Sequence, residues 1–194
     1  MPLILGLSGS LREASHNTNL LRSAAMALPP RIELRLYDEL REIPPYDSDR
    51  DVEPADPAVE RLREAIASAD GVLIATPEYN GSIPGVLKNA LDWASRPFPD
   101  NAFRGKPVAL IGASTGLFGA VWAQAETRKV LGVVGADVID QELPVGLAET
   151  AFADDGQLLD AEQRAALAGL VGVLTARGAG QPEAPPTAEA LASL

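Results

Sequence analysis

The amino-acid sequence predicts an α/β fold in which helices cover both faces of a parallel, five-stranded sheet. Short apolar runs of strand length alternate along the chain with segments of helical periodicity. The runs contain few polar residues, which is typical of parallel strands buried on both faces. A length of 194 residues suits one domain with a complete hydrophobic core. We therefore expect one doubly wound domain.

The first half of the chain supplies three strands and two helices. Apolar runs predict the strands, and apolar residues that recur every three or four positions predict the helices. Pro29 and Pro30 end the first helix, because proline does not continue a helix. In chain order, the predicted elements are a strand over 3–8, a helix over 17–28, a strand over 32–36, a helix over 59–69 and a strand over 71–75.

The second half supplies two more strands and three helices. Ser82 is predicted to cap the third helix, with Pro84 in its first turn, where a missing N–H costs nothing. Asp160 and Gln163 have the spacing of a cap for the last helix. The predicted elements are a helix over 83–94, a strand over 108–112, a helix over 119–131, a strand over 135–139 and a helix from 160 to about 176. Five such strands fit the flavodoxin-like order 2-1-3-4-5.

Two segments lie outside this alternation. Residues 37–57 are rich in proline and acidic residues and exceed the length of an ordinary connection, which indicates either a functional flap or a mobile loop. Residues 178–194 are rich in alanine, proline and glycine, and we expect a loosely ordered tail there. The predicted domain therefore spans residues 1–177.

Composition excludes several classes of function. A formal net charge of −11 repels nucleic-acid backbones and anionic lipids. The chain has no cysteine, which excludes disulfides, thiol nucleophiles, iron–sulfur clusters and thiolate zinc sites. His16 is the single histidine, so a histidine-rich metal site is excluded as well. We expect neither a metal nor a nucleic-acid partner.

The sequence predicts a cytoplasmic protein. The first apolar run ends at Ser8, follows no cation and is too short for a signal peptide. Residues 107–125 form an uncharged stretch of 19 residues, which approaches the length of a membrane span. Its glycines and polar residues favour a buried strand, a turn and a helix instead. We expect no membrane contact.

Three loops that follow strands 1, 3 and 4 are candidates for a ligand site, because doubly wound sheets bind ligands at the carboxyl ends of their strands. Residues 8–19 place hydroxyl groups, amides and Arg12 just before a helix. Helix amino ends offer free N–H donors and partial positive charge, and arginine adds bidentate hydrogen bonds, so this loop suits a phosphate group. The alternative is that Ser15 only caps the helix while Arg12 lies on the surface.

The other two loops suit a flat polar ring. Residues 76–85 combine proline, asparagine and glycine in a tightly turned backbone, with Tyr79 able to flank a ring. Residues 112–119 add glycines, which allow close approach, and the hydroxyl groups of Ser114 and Thr115. Each loop by itself can also be a structural turn. Together the three loops predict a site for a phosphate-bearing ligand with a planar ring.

The segments GSLREASHN, TPEYNGSIPGVLKNALDW and GKPVALIGASTGLFGAVWAQAETRKVL resemble the NADPH-dependent FMN reductase family, a flavodoxin-like group that includes quinone, chromate and azo-dye reductases. The resemblance covers roughly residues 3–147 and implies twelve cofactor contacts. Those implied to hold the FMN phosphate are Ser10, Arg12, Ser15, Asn17 and Thr18. Those implied to border the isoalloxazine ring are Pro77, Glu78, Tyr79 and Asn80, with Ser114, Thr115 and Gly116 on its other side. Ala120 and Val121 depart from the family pattern, and Trp122 adds bulk near the pocket.

The resemblance also implies an activity. NADPH or NADH would pass a hydride to flavin N5, and the reduced flavin would then reduce small acceptors such as quinones, chromate, azo dyes or free flavin. No catalytic side chain is assigned, because the chemistry belongs to the cofactor. Backbone N–H groups of residues 79–81 are hypothesised to stabilise negative charge on the reduced ring.

Two alternative functions stay open at this point. The first is a flavodoxin-type FMN electron carrier that serves a protein partner, which the acidic charge favours. The second is a phosphate-ligand sensor without a redox role. The resemblance further implies a homodimer or tetramer, with contacts through the helices that bear Trp93 and Trp122, although a tryptophan at either position can equally fill the core.

Overall fold

A computed structural model describes residues 1–180, and its strands and helices alternate as predicted. The elements are β1 (Leu3–Ser8), α1 (His16–Ala27), β2 (Glu33–Tyr37), α2 (Pro57–Ser68), β3 (Gly71–Ala75), α3 (Gly85–Ala94), β4 (Pro107–Ala113), α4 (Val121–Val133), β5 (Asp137–Val145) and α5 (Ala161–Ala179). All strand pairings are parallel, and the order is 2-1-3-4-5. The predicted fold class is therefore confirmed.

Hydrophobic residues fill both faces of the sheet. Helices α2, α3 and α4 pack on one face, and α1 and α5 pack on the other. Every residue of β3 and β4 is buried, as the apolar runs predict for central strands. The edge strand β2 is only partly buried. Among residues 1–180, no helix is both long and apolar enough to cross a bilayer.

The carboxyl ends of the central strands lie side by side. The N–H group of Gly9 donates a hydrogen bond to the carbonyl oxygen of Ala75 at 2.8 Å, just past the ends of β1 and β3. The N–H group of Thr76 donates in the same way to Ile111 of β4 at 3.0 Å. The loops after β1, β3 and β4 therefore start from one edge of the sheet, where the strand order reverses.

Two predicted helix caps are confirmed. The hydroxyl oxygen of Ser15 accepts a hydrogen bond from the N–H group of Thr18 at 3.2 Å, and α1 begins at the next residue after Ser15. The Asp160 carboxylate accepts from the N–H group of Gln163 at 2.9 Å at the start of α5. Each cap satisfies backbone donors that have no partner inside the helix.

The predicted cap at Ser82 is wrong. Helix α3 begins at Gly85 with Pro84 in the cap position, and no side chain caps its first turn. The hydroxyl group of Ser82 instead donates to the carboxylate of Glu126, on α4, at 2.6 Å. A charged acceptor from another element thus replaces the local bond that the sequence pattern predicts.

Helix α4 begins two residues later than predicted. Gly119 and Ala120 have φ angles of 59° and 62°, which lie in the left-handed region, so the regular helix starts only at Val121. Ala120 has no side-chain hydrogen bond with which to cap this helix. The missing cap comes from Glu78, as described below.

Strand β5 is longer than the predicted range of 135–139. It runs over Asp137–Val145 and includes Pro144 near its end. Its register against β4 shifts between Val108 and Leu110, so two extra residues of β5 bulge outward. Proline and charged residues are uncommon in central strands. The edge strand β5 accommodates them because, within the described sheet, it has a neighbouring strand on one side only.

The long connection between β2 and α2 packs against two helices. Residues 37–57 form two short 3-10 turns joined by extended chain. The carbonyl oxygen of Pro44 accepts a hydrogen bond from the indole N–H group of Trp93 at 2.8 Å, and Asp51 pairs with Arg63 at 2.9 Å. These contacts bind the connection to α2 and α3.

Helix α5 extends past its predicted end at Ala176 and includes Gly178 and Ala179, which the sequence assigned to the tail. A side chain at Gly178 would lie 2.6 Å from the carbonyl oxygen of Asp70, so glycine is what allows this turn of helix to approach the sheet. The rest of the predicted tail, residues 181–194, lies outside the described residues.

Candidate functional site

A cavity of about 100 Å³ opens where the loops after β1, β3 and β4 meet. Nine of the twelve predicted contacts line it: Ser10, Arg12, Ser15, Asn17, Pro77, Glu78, Tyr79, Ser114 and Thr115. His16 and Ala113 line it as well and were not predicted. Thr18, Asn80 and Gly116 were predicted but do not line the cavity. The structure thus brings the three loops together, as their topological positions predict.

Asn17 holds the start of α1 against the end of β4. Its side-chain Nδ2 donates to the carbonyl oxygen of Ala113, and its Oδ1 accepts from the N–H group of Ala113, both at 2.9 Å and both buried. The predicted phosphate contact of Asn17 would therefore come from its backbone. Thr18 donates its hydroxyl hydrogen to Ser8 at 2.9 Å, next to a neighbouring cavity.

The floor of the cavity is suited to an anion. The N–H groups of His16 and Asn17, the first two of α1, have no acceptor within the helix. They form the positive end of the helix dipole. The first turn of α1 contains no acidic residue. Arg12 is exposed and, among residues 1–180, has no carboxylate within 4.0 Å. These donors match the oxygens of a phosphate group.

The loop after β3 forms a two-residue hairpin beside the cavity. Tyr79 and Ser82 exchange backbone hydrogen bonds of 3.2 Å each, and the central residues Asn80 and Gly81 have φ angles of 56° and 73°. Two positive φ angles are what a type I′ turn requires, and Asn-Gly is its preferred sequence. The N–H group of Tyr79 is used within the hairpin. Those of Asn80 and Gly81 take no part in these two hairpin bonds.

Two carboxylates of different elements hold this loop and α4 together. Glu78 accepts a hydrogen bond from the N–H group of Ala123 at 3.0 Å and so caps α4 from outside the helix. Glu126 accepts from the hydroxyl group of Ser82 and from the N–H group of Ile83 at 3.2 Å. These hydrogen bonds hold the pKa of Glu126 below its ordinary value, with the Ser82 bond as the largest cause.

Sequence reasoning missed two residues at this site. Glu126 has the position of an ordinary surface residue of α4, and no local signal shows that it meets a loop 44 residues earlier. The sequence marks His16 only as the single histidine of the chain. In the structure it occupies the first position of α1, and its ring stacks on Phe152 at a centroid distance of 6.2 Å.

An apolar surface adjoins the site. The side chains of Leu117, Phe118, Trp122 and Tyr79 are 70, 60, 53 and 52% exposed. Phe118 and Trp122 contact each other edge to face, with ring centroids 5.2 Å apart. Trp93, in contrast, is fully buried in the core. An exposed cluster of this kind marks an interaction surface more often than a free surface.

The size of the cavity tests whether FMN fits the site. Its volume of about 100 Å³ is far below the ~300–1,000 Å³ that enclose a whole drug-sized ligand. A phosphate group fits inside, and a tricyclic ring would have to lie on the open surface beside Tyr79. The donors and the shape are therefore compatible with FMN bound by its phosphate end.

Fold and site together define a nucleotide-binding protein of the flavodoxin-like class. Its candidate phosphate cavity lies at the switch point of a doubly wound sheet, at the amino end of the first helix. Within this class, the chain belongs to the NADPH-dependent FMN reductase family, whose family model matches residues 2–150. The resemblance stated from the sequence motifs is thereby confirmed.

Individual relatives agree with this assignment. The chain is 46% identical over 162 residues to an NAD(P)H-dependent FMN reductase from Pseudomonas aeruginosa, covering 83% of this chain and 86% of that protein. It is 38% identical over 178 residues to a quinone reductase from Escherichia coli K12, covering 90% and 93%. The solved structure of FerB, a flavoenzyme NAD(P)H:(acceptor) oxidoreductase from Paracoccus denitrificans, has a TM-score of 0.82 at 34% identity, covering 92% and 98%.

Proposed function

We propose that this protein binds FMN at the switch-point cavity and uses NAD(P)H to reduce small acceptors of the quinone type. The observation that carries the proposal is a phosphate-sized cavity with free helix N–H groups and an exposed arginine, set beside an open, hairpin-bordered surface. The family and the activities in the names of the relatives support it. Because those relatives are named as reductases, a pure electron carrier is not favoured.

The residues of this chain bind and orient the cofactor. Ser10, Arg12 and the first N–H groups of α1 are assigned to the phosphate, and Ser15 and Asn17 hold the helix end in place. When bound, FMN supplies the redox chemistry. No acid or base of the protein is assigned to this function, because the redox chemistry belongs to the cofactor.

The hairpin after β3 is assigned to the edge of the ring. Its backbone donors at Asn80 and Gly81 are outside the hairpin bonds and can stabilise negative charge there. Pro77 and Tyr79 are assigned to the border of the ring, and Ser114 and Thr115 to its opposite side. Gly116 is assigned to the backbone of the loop that carries Ser114 and Thr115. Glu78 is assigned to the loop geometry through its bond to α4.

A test of this function begins with the visible spectrum of the purified protein, followed by anaerobic addition of NADPH or NADH. We expect flavin bands that bleach, and bands that return on addition of a quinone. The variant Arg12→Ala/Ser15→Ala should bind FMN at least about tenfold more weakly, because charge-assisted hydrogen bonds are lost.

The matched control is Arg31→Ala/Asp160→Ala, which also removes one arginine and one helix cap but lies away from the cavity. The control should retain FMN. A colourless wild-type protein that takes up no added FMN contradicts the proposal. So does unchanged FMN affinity in the first variant.

We also propose a homodimer, alone or within a tetramer, whose contacts include the apolar surface of Leu117, Phe118 and Trp122. Its position beside the cavity supports the idea that a second copy covers the open side of the site. Trp93 is buried and takes no part, so the predicted contact through α3 at that residue is dropped. A cytoplasmic location stays a prediction from composition.

A further inference from the structure

A second cavity, of about 220 Å³, adjoins the candidate FMN site on the side of β2. Ser10 and Arg12 line both cavities, so the short loop between β1 and α1 separates the two cavities. Thr18 and Arg22 of α1 line the second cavity on one side, and Arg41 of the 37–57 connection lines it on the other. No part of the function described so far uses this space.

Three arginines surround the second cavity in a strongly acidic chain. Arg12, Arg22 and Arg41 line it, against a single acidic residue, Asp38. Within residues 1–180, none of these three guanidinium groups lies within 4.0 Å of a carboxylate. Arginines close by on the same edge of the sheet are paired, as Arg35 is with Glu33 at 3.0 Å.

The hydrogen bonds of these arginines position them and leave donors free. Nη1 of Arg22 donates to the side-chain oxygen of Asn19 at 3.0 Å, and Nη2 of Arg41 donates to the carbonyl oxygen of Leu11 at 2.9 Å. Each guanidinium has five N–H donors, so most stay available. Both acceptors are neutral, so these bonds do not offset the charges of Arg22 and Arg41, and the three arginines of the lining exceed the charge of Asp38. The arrangement is suited to a phosphate monoester, which guanidinium groups bind in a bidentate manner.

We infer that the second cavity binds the 2′-phosphate of the adenosine part of NADPH, and that Arg22 and Arg41 thereby distinguish NADPH from NADH. This inference rests on the proposed function, because it assigns the reducing co-substrate of the same site. A volume of about 220 Å³ accommodates a phosphate with part of a sugar but no complete nucleotide, which agrees with a subsite for one end of a ligand. Of the two nicotinamide co-substrates, only NADPH carries such a monoester, and the monoester of FMN is assigned to the first cavity.

The test measures binding rather than activity. Calorimetric titration of the FMN-loaded protein uses adenosine 2′,5′-bisphosphate as the probe and adenosine 5′-monophosphate as the comparison. We expect the wild type to bind the bisphosphate at least about tenfold more tightly, as one charge-assisted contact provides. The variant Arg22→Gln/Arg41→Gln should lose this preference. Arg35→Gln, which removes an arginine of β2 that does not line the cavity, should keep it.

A second variant changes affinity in the opposite direction. Among residues 1–180, Asp38 is the one carboxylate that lines the cavity. Asp38→Asn removes it and should tighten binding of the bisphosphate several-fold, an outcome that misfolding does not produce. Equal binding of the two probes by the wild type overturns the inference, as does an unchanged preference in the double variant. Loss of FMN from the double variant also overturns it, because the arginines would then serve FMN. The wild-type flavin spectrum tests the proposed function independently of these results.

Discussion

Asn17 connects α1 to β4 through both ends of its amide group, and the carbonyl and N–H groups of Ala113 depend on it. Replacement by leucine leaves two buried backbone groups without partners, at about 1–3 kcal/mol each. We expect Asn17→Leu to lower the free energy of unfolding by about 2–5 kcal/mol. Urea titration measures this loss, and Asn19→Leu, at a less buried position of the same helix, should cost less than 1 kcal/mol. Equal effects of the two variants would contradict the assigned role.

Glu126 is expected to make the stability of the 79–82 hairpin depend on pH. Its pKa in the folded protein lies below the ordinary value of 4.5, so its contribution is present above that value and is lost as pH falls through the folded-state pKa. Glu126→Gln should therefore be less stable than the wild type at pH 7, and the difference should shrink at pH 3.

Urea titrations at the two pH values measure this difference. Glu149→Gln is the control, because Glu149 is an exposed residue of the loop after β5. A difference between Glu126→Gln and the wild type that stays constant from pH 7 to pH 3 would show that the carboxylate charge has no such role.

At the scale of elements, α3 anchors the connection between β2 and α2 through Trp93. The indole is fully buried and donates to the carbonyl oxygen of Pro44 at 2.8 Å, and its ring meets that of Tyr46 edge to face at 4.8 Å. This connection also carries Arg41 to the second cavity. The packing of α3 therefore helps to position Arg41, to which we assign the 2′-phosphate of NADPH.

Trp93→Phe tests this anchoring. It removes one hydrogen bond and part of a buried ring, and we expect a loss of about 1–3 kcal/mol in the free energy of unfolding. Limited proteolysis should cut residues 37–57 faster in the variant than in the wild type, because the connection loses an anchor. Phe98→Leu, at an exposed position outside the proposed dimer surface, is the control and should change neither measurement. Unchanged proteolysis in Trp93→Phe would contradict the anchoring role.

For the whole molecule, the apolar surface beside the site determines the expected assembly. Phe118→Asp places a charge on this surface, and a desolvated charge at an interface core is unfavourable. We expect light scattering to show a dimer or tetramer for the wild type and a smaller species for the variant at micromolar concentration. Phe98→Asp, at another exposed phenylalanine, should leave the assembly unchanged. A monomeric wild type would contradict the proposal.

A group of positive side chains lies near β1, although the overall charge of the molecule is negative. An overall charge of −11 repels anions, yet the two cavities beside β1 share Arg12 and contain free donors. We therefore expect phosphate-bearing ligands to bind at this edge of the sheet. We expect the acidic surface elsewhere to repel nucleic acids and anionic lipids, which stays a prediction from composition.

Local sequence determined the strands, the helices and most of the site. Apolar runs predicted β1 and β3 to the residue, Ser15 and Asp160 predicted two caps, and the Asn80-Gly81 pair has the sequence of the turn that it forms. These features depend on residues within a few positions of each other, so their physical causes are visible in the chain itself. Because parallel strands place their carboxyl ends together, the topology then brought the three loops to one edge.

The tertiary structure alone decided the contacts between distant residues. The bonds of Asn17 to Ala113 and of Ser82 to Glu126 join positions 96 and 44 residues apart. Each of these side chains has a local alternative, such as a cap or a solvated surface position, and only the packing of the elements decides which partner is nearest. The same reason applies to the second cavity, where Arg41 reaches Leu11 in the loop before α1 because α3 holds its connection in place.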